Sequence, residues 1–177
     1  MNILANDKIQ TGNVMPWWDN SYKSFPYRYL PLTNTWDEER WIREGYGGCN
    51  LNGSTYNNVD MNNTFSESTE EFLNFFSWHN QGIVYYKMNT MDALPLHSDH
   101  YTNYKKVFNV QNVQSIWRGI FFLEDWKSGH YFEIDGKPLM PWKSGDWVAW
   151  QYNVPHFAAN FGTEPRYTVQ ITGTKND

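Results

Sequence analysis

Ser144-Gly145-Asp146-Trp147-Val148-Ala149-Trp150, then His156-Phe157-Ala158-Ala159, then Tyr167-Thr168-Val169-Gln170-Ile171 are three short β-rich runs parted by turn signals. Ser144-Gly145-Asp146 has the composition of a tight turn, and the segment Asn160 to Pro165 carries Gly162 and Pro165. The same texture begins at Gly82. Ile83-Val84-Tyr85-Tyr86-Lys87-Met88, Ile116 through Leu123, and Tyr131-Phe132-Glu133-Ile134 read as strands, with Asp135-Gly136 as a hairpin turn. Short strands at fairly regular spacing predict a mainly β sandwich or jelly roll rather than a parallel α/β sheet.

The chain before Gly82 reads differently. Met15-Pro16-Trp17-Trp18 and Phe25-Pro26-Tyr27 mix proline with aromatics, as extended segments laid over a core do. Thr35-Trp36-Asp37-Glu38 matches a capping box and predicts a short helix from Trp36 to Glu44, stopped by Gly45. Ser68-Thr69-Glu70-Glu71 opens a second predicted helix, running to Asn80, with Phe72, Phe75, Phe76 and Trp78 for burial. Between them, Gly47 to Phe65 is rich in Gly, Asn and Ser, and is either a long loop or a strand pair. A chain of 177 residues is expected to form one domain, with residues 1–81 irregular and helical and residues 82–177 as the β core.

Aromatic residues make up 19% of the chain, too many for one small core, so some are expected to line a cleft or cover a surface. The net charge of -5 disfavours a nucleic-acid partner. The single cysteine, Cys49, excludes an internal disulfide and fits a reducing cytoplasm. Neither a signal segment nor a membrane-length apolar run is visible, so a cytoplasmic protein with no membrane partner is expected.

Four residues carry chemistry: His97, Asp99, His156 and Arg166. In a strand, residues i and i+2 face the same way, so His97 and Asp99 present an imidazole and a carboxylate together. With His156 from another strand they form the two-histidine, one-carboxylate face of non-haem iron(II) sites, which leaves the opposite positions open. A hairpin centred near Gly162 would set His156 opposite Thr168 and Ala158 opposite Arg166, so that all four share a face. Arg166 then offers its fork of donors to a distal carboxylate, with the Thr168 hydroxyl assisting. Read singly, these residues are ordinary: a His-x-Asp is commonly a turn hydrogen bond, and Arg166 can pair with Glu164. Their order and spacing together favour a metal site. His79 and His130 have no neighbours that suggest one, while His100 adjoins the motif as a possible alternative ligand.

From Gly82 to Thr174 the chain resembles the iron(II)- and 2-oxoglutarate-dependent oxygenases, including the small forms found in bacteriophages. The resemblance rests on Leu96-His97-Ser98-Asp99, Phe122-Leu123-Glu124-Asp125-Trp126, Trp142-Lys143-Ser144-Gly145-Asp146, His156 and Arg166-Tyr167-Thr168. It implies a double-stranded β-helix (jelly roll, cupin-like) with N-terminal helices packed on one sheet. It also implies Fe(II) on His97, Asp99 and His156, and 2-oxoglutarate on Arg166 and Thr168. With O2, an aliphatic C–H of an amino acid, peptide side chain or small metabolite would be hydroxylated, releasing succinate and CO2. Tyr85, Tyr86, Trp117 and Trp150 are candidate lining residues; Arg118, Glu124, Asp125 and the 47–65 loop are candidate selectors of substrate. Two rival readings remain open: a cupin-type metalloenzyme that uses no 2-oxoglutarate, and a β-sandwich carbohydrate-binding module.

Overall fold

The computed structural model describes residues 6–29, 35–51, 55–58 and 67–175. Its strands are β1 (Ile9–Asn13), β2 (Arg28–Tyr29), β3 (Thr55–Asn58), β4 (His79–Met88), β5 (Ala93–His97), β6 (Ile116–Phe122), β7 (His130–Ile134), β8 (Lys137–Pro138), β9 (Asp146–Gln151), β10 (His156–Asn160) and β11 (Arg166–Thr174). The helices are α1 (Thr35–Trp41), α2 (Glu67–Phe75) and α3 (Thr102–Phe108). The strands form a major sheet of order β1-β9-β6-β11-β4-β3-β2 and a minor sheet of order β5-β10-β7-β8. Every strand pairing is antiparallel. The result is the expected mainly β jelly roll of the double-stranded β-helix class.

Alternation along the central strands divides the interior in two. On β6, Ile120 and Phe122 join Val148, Trp150, Phe132 and Ile134 in a core between the sheets. Trp117 and Phe121 point the other way and join Val169, Ile171, Tyr85 and Phe72 beneath the N-terminal region. This second layer takes up much of the aromatic content. Trp18 stacks on Phe72 with centroids 5.1 Å apart, and Phe76 stacks on Trp78 at 4.1 Å. Gly119 makes room for the latter pair, because a Cβ there would stand 2.5 Å from the Phe76 ring. At the other face, Gly145 has φ +94°, and a side chain would run into the Val14 carbonyl. The Gly-Asp turn therefore locks β9 against the segment that follows β1.

Several expectations are corrected. β10 and β11 do not pair: β10 lies between β5 and β7, and β11 between β4 and β6. Residues 161–165 cross from one sheet to the other. β1 emerges from the stretch read as irregular, and α3 was not foreseen. α2 ends at Phe75 rather than Asn80, because Ser77 and Asn80 take left-handed backbone angles and β4 starts at His79. The Gly47–Phe65 stretch holds β3, paired with β2 and β4; its residues 52–54 and 59–65 lie outside the described residues. α1 continues as a wider turn, Ile42–Tyr46, that Gly45 bends at φ +100°. Among the described residues no helix is long and apolar enough to cross a membrane.

Candidate metal centre

His97 ends β5, His156 begins β10, and the two stand directly opposite in the paired strands. Their ring centroids are 4.3 Å apart. Nδ1 of His97 donates to the Pro95 carbonyl at 2.8 Å, and Nδ1 of His156 donates to the Val154 carbonyl at 3.0 Å. A carbonyl only accepts, so each neutral imidazole carries its proton on Nδ1 and turns the Nε2 lone pair inward.

Asp99 is not on the strand. The chain leaves the sheet after His97, and the irregular segment ahead of α3, with Tyr101 at φ +52°, places the carboxylate beside the two rings. Oδ1 lies 3.8 Å from His97 Nε2, and Oδ2 lies 3.4 Å from His156 Nε2. Donor atoms of all three residues fall within 4.8 Å of one another. Ligands each about 2.1 Å from a shared ion stand about 3 Å apart at right angles, so slight closure suits this set to a metal.

The ionisation states also suit one. Burial alone would raise the Asp99 pKa, but the Arg118 guanidinium, then His156 and His97, outweigh it and hold the carboxyl at about 2. Burial first, and His97 second, push His156 down to about 3, against the pull of Asp99. An ionised carboxylate and a neutral imidazole are the forms a metal ion needs. Arg118 Nη1 donates to Asp99 Oδ2 at 2.5 Å, and its guanidinium lies 4.7 Å from the Tyr101 ring centroid.

A cavity of about 750 Å³ opens beside the three donors, and both Arg166 and Thr168 line it from the major sheet. Arg166 is only 6% exposed. Nη1 donates to the Tyr131 carbonyl and Nη2 to Met88 Sδ, each at 2.7 Å, while the buried Nε has no acceptor. No carboxylate among the described residues pairs with it, and burial lowers its pKa to about 10. The four residues expected on one hairpin face thus meet across two sheets: His156 and Ala158 from the minor, Arg166 and Thr168 from the major.

The candidate lining residues divide. Tyr86 and Trp150 face the cavity, whereas Tyr85 and Trp117 belong to the second core. Glu124 is engaged by Lys23 and Lys127, and Asp125 by Lys143, away from the cavity. Arg118 does line it, as does His100. His130 is buried against the Glu164 carbonyl, and His79 is exposed. The direct contact of Arg118 with Asp99 was not anticipated. Its signal was present, however: one charge inside the apolar run Ile116 to Leu123, on the parity of Ile120 and Phe122.

No protein-family model matches this chain, and no curated protein matches it. Among solved structures, a Pseudomonas putida prolyl-4-hydroxylase is 12% identical, with a TM-score of 0.56, over 96% of this chain and 94% of its own. A cupin protein from Bacteroides fragilis is 13% identical, with a TM-score of 0.38, over 55% and 68%. A Klebsiella pneumoniae protein with a double-stranded β-helix domain is 15% identical, with a TM-score of 0.38, over 56% and 72%. At such identities the likeness is one of fold.

Proposed function

We propose that this chain is a non-haem Fe(II)- and 2-oxoglutarate-dependent oxygenase that hydroxylates an aliphatic C–H of an amino acid, a peptide side chain or a small metabolite. The observation that carries this reading is Arg166, a buried guanidinium with an unused donor and no acidic partner among the described residues, in the same cavity as His97, Asp99 and His156. An uncompensated buried charge costs several kcal/mol, and a carboxylate arriving from solution would offset that cost. 2-Oxoglutarate suits both ends of the cavity, having a keto-acid end that chelates a metal and a far carboxylate for the arginine. The fold likeness to a prolyl-4-hydroxylase along nearly the whole chain supports the reading at the level of architecture.

His97, Asp99 and His156 would hold the iron on one face. When bound, iron with O2 and 2-oxoglutarate supplies the oxidation: one oxygen atom enters the substrate C–H, the other enters succinate, and CO2 leaves. The protein's residues set the stage for that chemistry. Arg166 and Thr168 fix the distal carboxylate, and the small Ala158 leaves room for the ligand between them. The Nδ1 hydrogen bonds hold both imidazoles in the ligating tautomer. Trp150 and Phe132 wall the cavity with apolar surface and limit the entry of water.

The test is to load the protein with Fe(II) under nitrogen, titrate 2-oxoglutarate and follow the weak visible charge-transfer band of the chelate. A saturable band that is lost in His97→Ala and weakened in Arg166→Ala is expected. Its absence from folded, metal-loaded protein would overturn the proposal in favour of a metalloenzyme that uses no 2-oxoglutarate.

A further inference from the structure

The inner row of β11 runs Arg166, Thr168, Gln170, Thr172, and all four line the cavity. Arg118 is the cross-strand partner of Thr172. At about 3.4 Å per residue, the backbones of Arg118 and Arg166 are about 20 Å apart along the strands, at opposite ends of the row. The far end is thus available for a second ligand once 2-oxoglutarate occupies the Arg166 end.

Arg118 is held in place there. Nη1 donates to Asp99 Oδ2, Nε donates to Thr172 Oγ1 at 3.4 Å, and Tyr101 covers the guanidinium plane. Nη2 has no acceptor among the described residues and is not among the buried unsatisfied atoms, so it keeps some exposure on a side chain that lines the cavity. Among the described residues, the cavity wall contains two guanidiniums and one carboxylate, Asp99. Apart from the histidines, the other described polar residues of the wall, among them Tyr86, Tyr104, Asn103 and Gln170, carry no formal charge. Summed over the described residues with the histidines neutral, a divalent metal and the dianion of 2-oxoglutarate leave one positive charge over. A monoanion would balance it, whereas an ammonium group would meet a positive site whose one described acid, Asp99, is already engaged.

We propose that the substrate is a small monocarboxylic acid without an ammonium group, its carboxylate received by Arg118 Nη2 at the end of the cavity away from Arg166. This rests on the oxygenase reading and narrows its substrate class. Arg118 acts in it as a specificity-determining residue.

The test uses protein loaded with Mn(II) and saturating 2-oxoglutarate, so that Arg166 is already occupied. The probes are acetate against acetamide, and N-acetyl-L-alanine against N-acetyl-L-alaninamide, and binding is read from paramagnetic relaxation of each probe's methyl protons. The acids are expected to bind at least tenfold more tightly than the amides. Arg118→Gln should abolish that preference, and Arg118→Lys should restore part of it. Equal binding of acid and amide, no binding of either acid, or an intact preference in Arg118→Gln would overturn the proposal. Should Arg118→Gln fail to fold or to hold metal, the acid–amide comparison in the unmodified protein decides. The Fe(II) chelate band separates the two readings: without it the oxygenase reading falls, whereas a band without acid preference removes only this inference.

Discussion

His97 and His156 face each other across β5 and β10, and each donates from Nδ1 to the carbonyl two residues before it. The symmetry matters because each strand anchors its own ring. Removing one histidine leaves the other oriented, so His97→Ala and His156→Ala should each lose stoichiometric Fe(II) while staying folded. Metal analysis after gel filtration, alongside circular dichroism, checks this. Full metal retention in either variant would show that the ion sits elsewhere.

Arg166 should separate binding from stability. Its guanidinium lies in a site that lowers its pKa to about 10, a penalty of burial that no carboxylate among the described residues offsets. Arg166→Met keeps the length and removes the charge. The variant is expected to bind 2-oxoglutarate at least about tenfold more weakly, since a charge-assisted bidentate pair is worth more than about 1.4 kcal/mol. Metal content should be unchanged. Urea unfolding of the ligand-free variant should show stability at least equal to the parent's, because the neutral side chain removes an uncompensated buried charge. A loss above about 2 kcal/mol would mean that the bonds to Tyr131 and Met88 outweigh the burial of charge.

That these residues would come together was legible in the sequence, but the topology that assembles them was not. Parity along one strand correctly put Arg166 and Thr168 on a single face, because the period of a strand is local. Pairing between strands is not local, and nothing in Asn160 to Pro165 distinguishes a hairpin from a crossover between sheets. Asp99 shows the same limit. His-x-Asp was read as two strand positions, whereas irregular backbone past His97 gives the same convergence. β1 escaped notice because Ile9-Gln10-Thr11-Gly12-Asn13 has one strongly apolar residue, and its pairing with β9 comes from the partner strand. Arg118 was legible only as an anomaly. A lone charge in an apolar run marks a polar cavity, but its partner Asp99 lies 19 positions away, off the sheet.

Acid should loosen the metal-free protein sooner than its carboxylates alone would. The folded-state pKa of His156 is depressed from 6.5 to about 3, with burial the main cause. The unfolded chain takes up this proton as pH falls through 6.5, and the folded chain resists until about 3. The contribution is therefore complete above pH 6.5 and is lost below it, by up to about 1.4 kcal/mol per pH unit. Asp99, depressed from 3.8 to about 2, adds to the loss below pH 3.8. Urea midpoints measured between pH 7 and 4 should fall for the parent and fall less steeply for His156→Gln. Parallel slopes would mean that another group governs the acid limb.

Gly119 tests whether the second aromatic layer can be disturbed without touching the site. The glycine lies on β6 between Arg118 and Ile120, which face the cavity, but its own outer side abuts Phe76. Gly119→Ala places a methyl group where the Phe76 ring now stacks on Trp78 at 4.1 Å. Overpacking of this kind costs about 1–3 kcal/mol. The inner row of β6 keeps its register with β11, so Fe(II) and 2-oxoglutarate affinities should stay within about twofold, under 0.5 kcal/mol. Near-ultraviolet circular dichroism should change as the Phe76–Trp78 stack shifts. Phe76→Leu removes part of the obstructing ring, so the double variant should be more stable than the two single losses summed. A coupling of about 0.5–3 kcal/mol is the range for residues in contact. Strict additivity would place the clash elsewhere, and weakened co-substrate binding would show that the two faces of β6 are mechanically linked.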